Sequence, residues 1–266
     1  MATAYFRSTA DGFAPSDRAS GPWSPDMLHG RLLGGLAARA LEAELGAEGW
    51  RATRLTVDLF RPAAMAPVLV TTRPVRDGRR IRVADASLHC DGHEVGRVTG
   101  VFLALGAEPP GNIWRPSSAP WPDPDSLEDD PPPEGFDEAA NGDESEAEAW
   151  LVRTAAGGFG TGEQSRVWTN DTGTLVDDET ISPFVRAAIS ADLACPLANS
   201  SDASLHYINA DYTLALGRYP VGPWIGLEVN QQIAADGVSV ASSTLVDRDG
   251  VFATSTGCSL ATAPLQ

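Results

Sequence analysis

The chain has 266 residues, 42% of them hydrophobic, which suffices for one large core or two modest domains. A formal net charge of −17 argues against nucleic-acid binding, because affinity for phosphates depends on clustered lysines and arginines. The three cysteines, Cys90, Cys195 and Cys258, are too few and too scattered for a disulfide framework or a metal site, so we expect reduced thiols.

The N-terminal sequence "MATAYFRSTADGF" lacks the basic and then apolar order of a signal peptide. No apolar run approaches the roughly 20 residues that a membrane-spanning helix needs. We therefore expect a cytoplasmic protein that does not enter membranes.

The first predicted element is a helix that starts at Ser24 and Pro25, in "SPDMLHGRLLGGLAARALEAELG". A capping serine followed by proline is typical of a helix start, leucines and alanines recur on one face, and Gly46 is a stop. Strand-like runs follow over residues 51–62, 67–78, 79–92 and 93–105.

A proline-rich and acidic segment follows from about residue 107 to 149 and contains few aliphatic residues. Such a segment cannot bury enough apolar surface to form a compact unit. We predict an interdomain linker at 107–135, between domains at 1–106 and 136–266. Trp114 and Trp121 would hold its first part against a domain.

The second half repeats the order of the first. Strands with a glycine-rich loop between them are predicted over 147–170, and Ser182 with Pro183 starts a helix in "ISPFVRAAISADLACPL". Strand-like runs then cover 205–220, 223–237, 238–250 and 251–262.

Four Asp-Gly pairs occupy matching places in the two halves, at 77–78, 91–92, 236–237 and 249–250. Each pair predicts a tight hairpin turn, so each half is one helix followed by an antiparallel meander. A sandwich would not open each repeat with a long helix, and a parallel sheet would need helices between its strands. The pattern predicts an α+β fold, the double hotdog.

The segments "HGRLLGGLAARALE", "LTVDLFRP" and "DGHEVGRVTGVF" resemble the N-terminal hotdog of the type II acyl-CoA thioesterases, the TesB-like group. "SPFVRAAISADL", "INADYTLALGRYPVGPWIGLE" and "VDRDGVFATSTGCSLAT" resemble the C-terminal one. The resemblance covers nearly the whole chain outside the linker. It implies hydrolysis of a fatty acyl-CoA to free acid and CoA. Because the sequence contains no glycine-rich phosphate loop and no cluster of His and Cys, we expect no bound cofactor or metal.

In this family a helix Asp, a Thr or Asn on the next strand and a Gln on the last strand hold the attacking water. By position the Asp is Asp192 in "SADL" and the amide is Asn209 in "INAD". Asp192 falls on or beside the apolar stripe of its helix, where partial burial should raise its pKa toward that of a useful base. The alternative is that Asp192 caps the helix end or pairs with Arg186 in solvent.

The sequence departs from the family at the third position, where Gly257 or Cys258 stands. Cys258 would be a weak donor or a nucleophile, although a strand thiol is more often buried and inert. Gln232 or Gln231, on a neighbouring strand, would supply the amide instead, unless both face solvent.

His29 and Gly30 match the first two positions of the His-Gly-Gly run with which many hotdog thioesterases begin their central helix. The resemblance implies that His29 contacts substrate and that the Gly30 N–H faces the thioester oxygen. The alternative is packing, in which Gly30, Gly34 and Gly35 allow a close approach of helix and sheet.

Arg61, Arg79, Arg80 and Arg82 form the main basic cluster of the sequence. Arg61 and Arg80 would contact the phosphates of CoA, although solvated strand positions explain the arginines equally well.

Two other functions stay open. Double-hotdog enoyl-CoA hydratases use an Asp and a His five residues later, whereas Asp202 and His206 are four apart. A binding protein for acyl-CoA or an acyl carrier, which kept the pocket and lost the chemistry, is the stronger alternative because the Gln is missing. The expected partner is acyl-CoA, and a homodimer is the further assembly that we expect.

Overall fold

The computed structural model describes residues 4–114, 120–131 and 150–262. In the first half of the chain the elements are β1 (Ala4–Thr9), β2 (Gly12–Pro15), β3 (Ser20–Gly21), β4 (Ser24–Leu28), α1 (Gly30–Leu45), β5 (Trp50–Leu59), β6 (Val68–Asp77), β7 (Ile81–Cys90) and β8 (His93–Ala104). In the second half they are β9 (Trp150–Ala156), β10 (Arg166–Asp171), β11 (Thr174–Val176), α2 (Pro183–Ala191), α3 (Ala194–Asn199), β12 (Tyr207–Asn209), β13 (Asp211–Leu216), β14 (Ile225–Ala235), β15 (Val238–Asp247) and β16 (Gly250–Ala261).

One large sheet joins the two halves. Its main order is β11-β1-β2-β6-β7-β8-β5-β13-β16-β15-β14-β10-β9, with β12 paired to β16. The junction is the antiparallel pair of β5 and β13, in which Leu55 lies opposite Leu214. Helices α1 and α2 pack against each other, and each is followed by an antiparallel meander. The α+β double hotdog predicted from the repeat is confirmed.

Small residues allow α1 to approach both the sheet and α2 closely. A Cβ atom on Gly34 would lie 1.9 Å from the hydroxyl oxygen of Tyr212, and one on Gly35 would lie 2.7 Å from Ile189 Cγ1. The packing role proposed for these two glycines is therefore confirmed.

Helix α1 starts later than the sequence predicts. Residues 24–28 form β4, which pairs with β3 through Ser20 and Leu28, and the helix begins only at Gly30. A Ser-Pro pair suits an edge strand as well as a helix start, since proline is tolerated in both places. His29 is the N-cap, and its Nδ1 accepts a hydrogen bond from the Arg31 N–H at 3.4 Å.

Helix α2 starts as predicted, because the Ser182 side chain accepts from the Val185 N–H at 3.2 Å and Pro183 follows. The helical spacing of apolar residues extends to Leu193, but the helix breaks at Asp192 and resumes as α3. Pro196 explains the break, since it has no N–H to donate to the carbonyl four residues earlier, that of Asp192.

All four Asp-Gly pairs lie at hairpins, but only two of the pairs themselves form the two turn residues. Asp91-Gly92 and Asp236-Gly237 both have positive φ at both positions, with φ of 49° and 74° in the first pair. In the other two hairpins the turn is formed by other residues: 78–80 connect β6 to β7 in a three-residue loop, and 248–249 connect β15 to β16 in a two-residue turn that leaves Gly250 in the strand.

Part of the predicted linker packs on the second half. The Trp121 ring lies 4.9 Å from that of Trp168, and the Asp130 N–H donates to the Val152 carbonyl of β9 at 2.8 Å. Trp114 is 83% exposed, so the expectation that it holds the linker down is wrong. The predicted boundary at 135/136 lies outside the described residues and stays a prediction.

Strands β1 to β4 and β11 were not anticipated. Strand β1 pairs in parallel with β11, with Ala4 opposite Thr174, which places the N-terminal strand beside the second half. Among the described residues, no helix is long and apolar enough to cross a lipid bilayer.

Candidate active site

A cavity of about 1090 Å³ lies between the start of α1, the junction of α2 with α3, and strand β12. Both halves of the chain contribute to its wall, which includes His29, Gly30, Arg61, Asp192 and Asn209. Five residues singled out in the sequence are therefore brought together around one space.

Asp192 lies at the break between α2 and α3 and is 2% exposed. Burial raises the pKa of its carboxyl group to about 7, against smaller lowering effects of the Arg31 charge and of a hydrogen bond from Asn209. The solvent-exposed pairing with Arg186 is excluded, because the Arg186 guanidinium instead donates to the Asp171 and Pro223 carbonyls.

Asn209 is the last residue of β12, and its side-chain amide contacts both the carboxylate and the backbone carbonyl of Asp192. The Nδ2 atom donates to Asp192 Oδ1 at 2.8 Å and reaches the Asp192 carbonyl oxygen at 3.4 Å. The latter carbonyl is the one that Pro196 leaves without a helical donor. The proline that interrupts the helix thus also helps to fix the carboxylate and the amide side by side.

The first residue of α1 lies close to the Asp192 carboxylate. A Cβ atom on Gly30 would lie 3.8 Å from Asp192 Oδ1 and 3.2 Å from Leu59 Cδ1, so a side chain here would intrude between helix and carboxylate. The first N–H groups of a helix have no intrahelical acceptor and carry the positive end of its dipole.

His29 precedes this helix and stays neutral at physiological pH. Burial, and secondarily the Arg31 charge, hold the pKa of its imidazole well below the usual value. It therefore offers the cavity a neutral ring, not a cation.

A buried ion pair beside this site was not anticipated. Arg31 is 3% exposed, and its guanidinium donates to Asp171 Oδ1 at 2.6 Å and to the Tyr5 hydroxyl at 2.8 Å. Arg31 lies four residues before Gly35, on the apolar face of α1. A charged residue on that apolar stripe could have indicated a buried ion pair. Its partners Tyr5 and Asp171 could not be identified, because they are distant in sequence.

Gly257 and Cys258, at the place of the family glutamine, lie outside the described lining of the cavity. Gly257 faces the helices: a Cβ atom on it would lie 2.6 Å from Cys195 Sγ and 2.5 Å from the Asp211 carbonyl oxygen. Cys258 donates its N–H to Asp211 Oδ1 at 3.1 Å, and burial raises the pKa of its thiol. The prediction of Cys258 as a catalytic group is not supported by this position.

The prediction that Gln232 replaces the missing amide is wrong in position. Its Nε2 donates to Asn199 Oδ1 at 3.1 Å and lies 3.3 Å from Ser239 Oγ. Because β14 is separated from β16 by β15, this side chain contacts the far end of α3 and not Asp192.

The predicted arginine cluster is divided. Arg61 follows β5 and lines the cavity. Arg80 lies near the opposite end of β5, where its carbonyl accepts a hydrogen bond from the Ala104 N–H. Arg82 lies at this end too, with its guanidinium carbon 4.0 Å from the centre of the Trp50 ring. Since β5 has 10 residues, its ends are about 30 Å apart. Arg79, Arg80 and Arg82 therefore do not face the cavity, which corrects the prediction for Arg80.

The site thus combines a carboxyl group that titrates near neutral pH, an amide that orients it, and a helix N-terminus. Such a set suits the activation of water for attack on a carbonyl. Among the described residues, no group of three or more His, Cys, Asp or Glu side chains is placed to hold a metal ion.

Family models match both halves of the chain. Residues 19–103 match the acyl-CoA thioesterase N-terminal domain, and residues 119–257 match the acyl-CoA thioesterase C-terminal domain. A search of curated proteins finds no match.

Solved structures share the fold at low sequence identity. The tesB protein of Mycobacterium avium subsp. paratuberculosis is 16% identical with a TM-score of 0.67, over 89% of this chain and 88% of that one. A hot dog fold protein of unknown function from Alicyclobacillus acidocaldarius is 16% identical with a TM-score of 0.71, over 94% and 92%. The acyl-CoA thioesterase II TesB2 of Mycobacterium marinum is 18% identical with a TM-score of 0.63, over 88% and 91%.

Proposed function

Because the chain belongs to the acyl-CoA thioesterase family, we propose that it hydrolyses a fatty acyl-CoA to the free acid and CoA. The observation that carries the proposal is the buried Asp192 carboxylate, held at 2.8 Å by Asn209 beside the start of α1.

In the proposed reaction, Asp192 accepts a proton from a water molecule while the water oxygen attacks the thioester carbonyl carbon. Asn209 keeps the carboxylate in place and orients the water. The carbonyl oxygen becomes an oxyanion, stabilised by the Gly30 N–H and the helix dipole. Collapse of the tetrahedral intermediate breaks the carbon–sulfur bond, and the proton on Asp192 passes to the CoA thiolate.

The pKa of Asp192 supports this role. A base works best when its pKa lies near the working pH, because it is then both ionised and a strong enough proton acceptor. An exposed aspartate is too weak a base, whereas burial raises the pKa of Asp192 to about 7.

Substrate binding is assigned to the rest of the cavity. Its volume of about 1090 Å³ is at the upper end of ordinary ligand pockets, as a substrate with a long acyl group requires. We assign Arg61 to the CoA phosphates, since it is a cation on the wall of the cavity in a strongly acidic protein. His29 contacts the thioester as a neutral ring.

A second function keeps one specific observation in its favour. Gly257, at the place of the family glutamine, is packed against Cys195 and has no side chain with which to hold a water. This favours a protein that binds acyl-CoA, or acyl-carrier protein, without hydrolysing it. Cytoplasmic location and homodimer formation stay predictions from the sequence.

The experiment is thiol release from short-, medium- and long-chain acyl-CoAs, with binding of the same compounds measured in parallel by calorimetry. Turnover of at least one acyl-CoA is the expected result. Binding of the acyl-CoAs without release of thiol would show that the protein binds its ligand without hydrolysing it. If neither binding nor release of thiol is observed, both proposed functions are overturned.

A further inference from the structure

Arg31 lines the same cavity as Asp192, and it forms an ion pair with Asp171 that joins the two halves of the chain. Arg31 stands in the first turn of α1, and Asp171 is the last residue of β10. Both side chains are almost fully buried, at 3% and 1% exposure, and their charged atoms are 2.6 Å apart. Buried pairs of this kind are costly to assemble and must be well satisfied.

Aromatic neighbours fix the position of the guanidinium. The Tyr5 hydroxyl accepts a hydrogen bond from Arg31 at 2.8 Å and donates to Asp171 at 2.9 Å, closing a three-residue network. The Arg31 guanidinium carbon also lies 5.2 Å from the centre of the Tyr5 ring and 4.8 Å from that of Trp150. A charge held from three sides in this way cannot leave the site by a change of rotamer.

The cavity wall also carries Arg18, Arg61, Asp130 and Asp202, and of these cavity charges Arg31 is the one that acts on the pKa of Asp192. The titratable side chains next to Asp192 lie on three elements. From α1 these are His29 and Arg31, from α3 Cys195, and from β13 Tyr212. His29 is neutral because its pKa is well below the usual value, whereas burial raises the pKa of Cys195 to about 12 and that of Tyr212 well above its usual value.

We propose that Arg31 is a positioning residue for the proposed hydrolysis: it fixes a positive charge beside Asp192, and Asp171 compensates part of that charge. The ion pair therefore sets how strong a base Asp192 is. This inference rests on the proposed function for its effect on rate, but its effect on the carboxyl group of Asp192 is independent of any activity.

Opposite changes follow from removing one charge or both. Asp171→Asn keeps the hydrogen bonds of Arg31 and leaves its charge uncompensated, which favours the Asp192 carboxylate and lowers its pKa. Arg31→Met combined with Asp171→Asn removes the stabilising cation, so the pKa of Asp192 rises. We expect each shift to be about one pH unit.

The matched control is Glu179→Gln. Arg39 lies on α1, as Arg31 does, and it forms an ion pair with Glu179 of the second half. This pair therefore also joins the two halves of the chain. Arg39 follows Arg31 by eight residues, which is about 12 Å along the helix axis, so its charge is too far to affect Asp192 strongly.

The experiment measures the carboxyl titration of Asp192 by carbon-13 NMR in the unmodified protein, the two charge variants and Glu179→Gln, all verified as folded by circular dichroism. The pH profile of thiol release is recorded for the same four proteins. The expected result is a lower pKa in Asp171→Asn, a higher one in the double variant and no shift in Glu179→Gln, with the acid limb of the rate profile moving in parallel.

A titration that does not move in either charge variant would overturn the proposal, as would shifts of the same sign in both. A merely structural pair would lower the rate at every pH and leave the midpoint unchanged. If the titration moves as expected while no protein releases thiol, the electrostatic role stands and the proposed hydrolysis fails, so the two failures are distinguishable. Should the double variant not fold, the sign of the Asp171→Asn shift alone decides.

Discussion

Asn209 donates a hydrogen bond of 2.8 Å to the buried carboxylate of Asp192, across the gap that Pro196 creates between two helices. Both hydrogen bonds that the amide donates in the described part of the chain go to this residue, since the second contact, at 3.4 Å, is with the Asp192 carbonyl oxygen. The relationship makes the two residues one unit, and the variants below are designed to separate its parts.

Asn209→Ala should weaken the unit without removing the base. A hydrogen bond to a charged group contributes about 1.5 to 3 kcal/mol, so we expect kcat/KM to fall roughly 10- to 100-fold. The bond from Asn209 lowers the pKa of Asp192, so its loss should move the acid limb of the rate profile to higher pH. Asn230→Ala, an exposed amide on β14 that contacts Thr244, is the control and should change neither. An unchanged profile for Asn209→Ala would show that the amide is dispensable.

Asp192 should make stability depend on pH. Its pKa is raised from 3.8 to about 7, so the protonated carboxyl favours the folded state. That contribution is complete below pH 3.8 and is lost as the pH rises through about 7, for a total of about 4 kcal/mol. Asp192→Asn should remove this dependence and unfold at higher urea concentration than the unmodified protein at pH 8, but not at pH 3.5. Equal urea midpoints at pH 8 would contradict the raised pKa.

Arg61 and Arg80 should separate in their effect on substrate binding. Arg61 lines the cavity, whereas Arg80 lies at the opposite end of β5. We expect Arg61→Ala to raise KM for acyl-CoA by roughly 3- to 10-fold at low salt, with a smaller effect at high ionic strength. Arg80→Ala is the matched control with the same change of charge. A larger effect of Arg80→Ala would reverse the assignment of the phosphate-binding end.

Gly257→Gln should not restore the family amide. A Cβ atom at this position would lie 2.5 Å from the Asp211 carbonyl and 2.6 Å from Cys195 Sγ, so the backbone of β13 and the helix would have to move. We expect a loss of about 1 to 3 kcal/mol in the free energy of unfolding and no gain in turnover. Gly106→Ala, where nothing lies within 4 Å of the added atom, is the neutral control. A stable, faster Gly257→Gln enzyme would show that the glutamine position is still open.

The sequence predicts most of this architecture because its signals are local. The helix start at Ser182 and the four hairpins at Asp-Gly pairs need only adjacent residues to be recognised. Asp192 was identified because a carboxylate on an apolar stripe is unusual.

What could not be predicted depends on contacts between distant residues. The parallel pair of β1 with β11 joins positions about 170 residues apart, and no local pattern marks it. The Arg31–Asp171 pair is separated by 140 residues. The start of α1 was misplaced because Ser24 and Pro25 suit a strand edge equally well, and only pairing with β3 decides between the two.

The most direct test of the central claim, that Asp192 activates the attacking water, is the rate of thiol release by Asp192→Asn at pH 8 on the best acyl-CoA substrate. Asp211→Asn is measured beside it, because Asp211 is a nearby carboxylate that binds the Cys258 N–H instead of facing the cavity. We predict that kcat falls by roughly 10²- to 10⁴-fold in Asp192→Asn and stays within a few-fold of the unmodified protein in Asp211→Asn. An Asp192→Asn protein that folds and retains full turnover would contradict the account.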